Sequence, residues 1–184
     1  YAVDVATTVT SVTVAATKAD PNAVISGDLP NEGQATIQLN GPGTTTQVTI
    51  TVTAQNGSSK TYRIDVERAA PSSDNNLSAL TVTPGSLAPT FTSSTLDYTV
   101  NVATNVTSVT VSATKSDPNA VMTGSLTAGA GVATGQATIA LGGPGTATPV
   151  TITVTAPNSS AKTYNITVNR LSNDNNLSAL SVTP

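Results

Sequence analysis

Residues 74–84 read DNNLSALTVTP and residues 174–184 read DNNLSALSVTP. So close a recurrence means the chain is assembled from copies of one supersecondary design, and any fold that ignores the repeat is excluded. The copying extends beyond this segment. Residues 1–29 align without a gap onto 98–126, where YAVDVATTVTSVTVAATKADPNAV becomes YTVNVATNVTSVTVSATKSDPNAV. Residues 33–68 align in the same way onto 135–170. Between these blocks the second copy carries extra residues within TAGAGVATG. Small residues and a changed length mark a surface loop there.

The repeat sets the expected domains. Residues 1–70 form a β-sandwich copy without its first strand, residues 71–171 a complete copy, and residues 172–184 the first strand of a following copy. In that last strand Leu177, Leu180 and Val182 are expected to complete a neighbouring sandwich. A window on a longer tandem array is the alternative reading of the same arrangement.

Seven strands are expected in the complete copy, over residues 77–83, 96–102, 107–114, 121–124, 136–141, 148–156 and 162–170. Residues 87–94 (LAPTFTSS) form an irregular crossing segment. Alternation of Val, Ile and Thr with period two places one face of each strand inward. Tyr98, Val100 and Val102 share a face, as do Val109, Val111 and Ala113. Ala137, Ile139 and Leu141 form another such set, then Val150, Ile152, Val154 and Ala156, and last Tyr164, Ile166 and Val168. The opening strand breaks parity between Ala79 and Leu80, which predicts a bulge.

Turn chemistry separates the strands. Asp117-Pro118-Asn119 presets a turn, and Gly143-Pro144-Gly145 fits a type II turn with positive φ at its second glycine. Asn56-Gly57 is a tight-hairpin signal. Its counterpart Asn158-Ser159 accepts positive φ less readily, so a longer loop is expected there. Regular short strands with such turns indicate an all-β, immunoglobulin-like sandwich in tandem copies of about seven strands each.

Composition narrows function. The charged fraction is 9% and the net charge −3, so the clustered basic surface that nucleic acid requires is missing. There is no Cys and no His, which removes disulfides, thiolate metal sites and the commonest general base. No apolar run is long enough to span a bilayer. With no Trp and one Phe the core must be filled by aliphatic residues and tyrosines. Isolated Asp and Glu residues form no catalytic constellation, so the chain is not expected to be an enzyme.

The combination NNLSALTVTPGSL, LDYTVNV, SVTVSATKSDPNAV and ITVTAPNSSAKTYNITVNR resembles the cadherin-like β-sandwich domain of bacterial secreted and surface proteins. The likeness covers essentially the whole chain. It implies an extracellular or cell-surface location, a bacterial source, and a structural or adhesive role. It carries over no catalytic residues. The expected function is a non-catalytic structural repeat of an extracellular fibre, stalk or surface protein, its last strand completing the next copy head-to-tail. The expected partners are copies of the same chain, with glycans as further candidates. An adhesin or polysaccharide-binding module is the alternative.

The remaining polar features have bland readings beside sharper ones. Asp74 and Asp174 lie at copy junctions and Asp97 near by, so these three are the calcium candidates. A hard cation needs six to eight oxygens, and one Asp with amides supplies few, so a polar turn is the preferred reading and no cofactor is expected. Lys18, Lys115, Lys60 and Lys162 recur beside Asn-rich strands, as Lys–Asn isopeptide crosslinks require; they have outward parity or flank turns, so solvated lysines are expected. Arg68 and Arg170 are expected to bond the junction loops. Tyr1, Tyr62, Tyr98 and Tyr164 are expected inward as core residues rather than a sugar platform. Sequons at Asn56, Asn76, Asn105, Asn158, Asn165 and Asn176 are candidate glycosylation positions.

Overall fold

A computed structural model describes residues 1–183, and the chain divides after Pro71 into two units. Among the described residues every regular element is a strand. In unit 1 these are β1 (Ala2–Val5), β2 (Ser11–Ala15), β3 (Val24–Gly27), β4 (Gln34–Gln38), β5 (Thr45–Thr53) and β6 (Ser59–Arg68). One sheet runs β1-β6-β5-β3, and β2 pairs only with β4. Unit 2 contains β7 (Leu77–Thr83), β8 (Asp97–Val102), β9 (Ser108–Lys115), β10 (Val121–Gly124), β11 (Thr134–Ala140), β12 (Ala147–Thr155) and β13 (Ala161–Arg170). Here one sheet runs β10-β12-β13-β8 and the other β11-β9-β7. All seven expected strands of the complete copy are present.

The pleat builds the core as the alternation requires. Val109, Val111 and Ala113 from β9 pack with Val150, Ile152 and Val154 from β12 and with Tyr164, Ile166 and Val168 from β13. Burying each large aliphatic side chain contributes about 1.5–3 kcal/mol. Ala137, Ile139 and Leu141 are only half-buried and rim this core. In β7 the register slips between Leu77 and Ala79. The extra residue is Ser78, which lets both Leu77 and Leu80 point inward, so the parity break is resolved one position before the predicted one.

The turns follow their residues. Gly145 has φ 81°, and Thr146 donates its amide to the Gly143 carbonyl at 3.2 Å, closing the predicted Gly-Pro-Gly turn. At Asn56-Gly57 the Gly57 amide donates to Ala54 and the Ala54 amide to Ser58. The longer loop expected at Asn158-Ser159 does not occur. Ser159 takes φ 72° and repeats the same two bonds, Ser159 to Ala156 and Ala156 to Ser160, both at 2.8 Å. The strand register on both sides holds the turn length fixed, so Ser159 accepts a conformation that glycine occupies freely in unit 1.

Candidate functional site

Among the described residues no strand of unit 1 corresponds to β7 of unit 2, and the difference runs through its interior. Tyr1 and Val3 hold the repeat positions of Tyr98 and Val100. Tyr1 is 83% and Val3 45% exposed, while Tyr98 and Val100 are buried. The inward assignment of Tyr1 is therefore overturned. Among the described residues nothing covers Tyr1 as the crossing segment covers Tyr98. In unit 2 Phe91 lies against Tyr98 with ring centroids 6.1 Å apart. The Tyr98 hydroxyl reaches the Thr92 carbonyl at 2.7 Å and that of Thr95 at 2.9 Å. The Tyr164 hydroxyl accepts from the Leu77 amide at 3.1 Å and donates to the Ser93 carbonyl at 2.9 Å. These two tyrosines latch the first strand and the crossing segment to the sandwich. Burial pushes the Tyr164 phenol above its ordinary pKa, partly offset by the Leu77 amide.

The same region of unit 1 is an apolar cavity of about 410 Å³, lined by Ile25, Ile50, Val52, Ile64 and Tyr62 with Tyr1 at its mouth. Val12 and Val14 of β2, counterparts of the buried Val109 and Val111, are only half-buried. Among the described residues β2 pairs with β4 alone, whereas β9 pairs with both β11 and β7. Strand edges with unpaired backbone groups are templates for another strand.

Residues 174–180 repeat the residues that open β7, yet they join no sheet in the single chain. Leu177, Leu180 and Val182 are 78%, 81% and 90% exposed. The Asx arrangement before the leucine is nevertheless formed. Asp174 Oδ1 accepts from the Asn176 amide at 2.9 Å and from Nδ2 at 2.8 Å. These bonds, the backbone one first, hold the Asp174 carboxyl below its ordinary range. Asp74 and Asn76 make the same pair of bonds in unit 2. Asp97 accepts instead from Asn165 Nδ2 at 2.9 Å. Among the described residues no three acidic groups converge.

The lysines divide sharply. Lys115 is 2% exposed, which corrects its reading as a solvated residue. It continues the inward series Val109, Val111, Ala113, and that parity was visible in the sequence. Its ammonium bonds the carbonyls of Pro118, Ala120, Ala128 and Gly129. Two of these acceptors belong to the loop insertion that unit 1 lacks. In unit 1 the equivalent Lys18 finds one side-chain acceptor, Asn31 Oδ1 at 3.3 Å, and borders the open cavity. Burial lowers the Lys115 pKa, with Asp117 opposing. Lys162 is half-buried and contacts Asn76, whereas Lys60 lies over the Tyr62 ring at 5.2 Å.

The arginines also depart from expectation. Arg170 donates to the Thr104 carbonyl at 2.8 Å and to Gly142 at 3.0 Å. Arg68 does the same to Thr7 and Asn40. Each ties two loops of its own unit, because its position at the end of the last strand brings those carbonyls together.

The family model for the cadherin-like beta sandwich domain matches residues 1–69 and 77–171. A search of curated proteins finds no match. Similar solved structures include the extracellular cadherin domains 1–5 of protocadherin gamma B2, at 11% identity and TM-score 0.34, covering 93% of this chain and 38% of that one. Drosophila N-cadherin EC1-3 is similar at 9% identity and TM-score 0.34, covering 91% of this chain and 62% of that one. A Bacteroides ovatus protein, SGBP-B of a mixed-linkage glucan utilization locus, is similar at 10% identity and TM-score 0.29, covering 91% and 66%. The chain thus spans less than two thirds of the length of the first two cadherin structures. Domains of this kind are typically extracellular and generally non-catalytic, and among the described residues no helix is long and apolar enough to cross a membrane. On the family match over both units, with the repeat and the paired sheets in agreement, the chain belongs to the cadherin-like β-sandwich domain family.

Proposed function

We propose that the chain is a non-catalytic structural module of an extracellular fibre or surface protein, and that residues 174–183 of one copy fill the open margin of unit 1 in the next. The supporting observation is the pairing of two complementary features. Unit 1 presents the free β2 edge and a cavity of about 410 Å³, and the tail presents the residue sequence that occupies the equivalent margin of unit 2. Seated as β7 is seated, Leu177 and Leu180 would take the places of Leu77 and Leu80 against Val14, Ile50 and Tyr62. This is strand addition, in which backbone pairing gives affinity and alternate side chains give register. The contact is head-to-tail and does not close on itself, so it propagates a filament.

Analytical ultracentrifugation of the purified 184-residue chain, with electron microscopy, tests the reading. End-to-end oligomers that lengthen with concentration are expected. Leu177→Asp with Leu180→Asp should give a monomer with both units folded, because those side chains touch neither core. A parent that stays monomeric at every concentration overturns the assembly reading.

The second reading is a saccharide-binding module, and the exposed Tyr1 beside Tyr62 favours it. A glycan-array signal lost in Tyr1→Ala would replace the strand reading with this one.

A further inference from the structure

Where the lead-in to β7 meets β13, an amine, a carboxamide and a carboxyl group stand in series. Lys162 Nζ lies 2.5 Å from Asn76 Oδ1. Asn76 donates from Nδ2 to Asp74 Oδ1 at 2.7 Å and from its backbone amide to the same oxygen at 2.9 Å. The surroundings fix this corner. Asn75 Nδ2 donates to Ser160 Oγ at 3.3 Å, and the Asn158 amide donates to the Ser72 carbonyl at 3.0 Å. The following residue, Leu77, is held by Tyr164. All three groups of the series are half-buried.

An ammonium–amide hydrogen bond alone needs only Lys162 and Asn76. Here a carboxyl group also sits on the nitrogen that would depart if the amine attacked the amide. We propose that Lys162 and Asn76 are a modification site, joined by an intramolecular isopeptide bond with Asp74 as proton carrier. The neutral amine of Lys162 attacks Cγ of Asn76. The Nζ–Cγ bond forms, and Asp74 in its acid form protonates Nδ2. The Cγ–Nδ2 bond then breaks and ammonia leaves. The proton shed by Nζ passes through solvent to Asp74, so the carboxyl ends as it began and nothing is oxidised or reduced. Held geometry replaces a chance encounter, and a positioned acid assists the leaving group. The bond would fasten the first strand of the unit to its last.

Asp174, Asn176 and Lys60 carry the same three residue types at the corresponding repeat positions. A link from Asn176 to Lys60 of another copy rests on the head-to-tail reading above; the Lys162–Asn76 link does not.

Intact-mass spectrometry of the 184-residue chain, followed by peptide mapping, tests the proposal. The expected mass is one ammonia below that of the sequence, with a branched peptide joining Asn76 to Lys162. Asp74→Asn should fold and show the full sequence mass, and Asn76→Asp should lose one water instead of ammonia. A parent of full mass, with Asn76 and Lys162 in separate unmodified peptides, overturns the proposal whether or not the protein polymerises. So does an ammonia loss that maps to a succinimide at Asn56-Gly57.

Discussion

Tyr98 and Tyr1 occupy one position of the repeat, as do Val111 and Val14, Tyr164 and Tyr62, and Lys115 and Lys18. In unit 2 the first member of each pair is buried; in unit 1 Tyr1 stands in solvent and the other three are half-exposed. The residues are alike, so side-chain preference does not explain the difference. What differs is the presence of β7, the crossing segment and the loop insertion. A sandwich buries its inner faces only where both sheets reach the same margin. One strand and its lead-out complete the core of this domain, and the other strands keep their pairings without it.

The largest effect is expected from forcing β7 out of the core. Leu80→Asp places an unpaired carboxylate in the closed core of unit 2. The loss should reach about 3–5 kcal/mol, from the lost aliphatic burial and the cost of an unpaired charge. Amide hydrogen exchange is expected to show β9 and β13 losing their protection down to the level of β2 and β6. If their protection survives, β7 is an ornament and the open state of unit 1 needs another cause.

Lys115 is expected to give the next largest difference between the units. Lys115→Met leaves four carbonyls without their shared donor and should cost unit 2 about 1–3 kcal/mol, whereas Lys18→Met should change unit 1 little. The pH dependence has a definite sign. The Lys115 pKa is lowered in the folded unit, so the unfolded chain binds that proton more tightly. Between the lowered value and the ordinary one, about 10.4, the unfolded state holds more protons and stability rises with pH. Denaturant titrations across the alkaline range should show that rise in the parent and its absence in Lys115→Met.

Ser159 gives the smallest effect. Its φ of 72° is the one Gly57 adopts at 83°. Ser159→Gly should stabilise unit 2 by roughly 0.5–1 kcal/mol through relief of the left-handed conformation, less the backbone entropy of glycine. Gly57→Ser should cost unit 1 a similar amount. Thermal unfolding followed by circular dichroism would read both.

Much of this was legible in residues. Inward parity found Tyr98, Val111, Ile152 and Ile166, because a period-two pattern has no other face on which to put Val and Ile. The turns at Asp117-Pro118-Asn119 and Gly143-Pro144-Gly145 were equally plain, since Pro and Gly fix φ locally. Lys115 was misread, although it continues the odd-numbered series of β9. A charge on an inward face is tolerated only where acceptors converge on it, and the loops that follow β9 fold their carbonyls back over Lys115 only in the closed unit. The contact between Lys162 and Asn76 was out of reach for a similar reason, since the first and last strands of a unit meet only after the sandwich closes.

Local order in the chain therefore fixed which segments extend, which side of each goes inward and where the backbone reverses; these depend on neighbours a few residues away. Tertiary structure alone decided whether a given extended segment becomes a strand. In residues 74–80 DNNLSAL leads into the edge strand β7, with Leu77 and Leu80 buried, and in residues 174–180 it is a solvent-exposed segment. Its own residues cannot choose between the two, because a strand's hydrogen bonds and half of its apolar contacts are supplied by the edge it docks on.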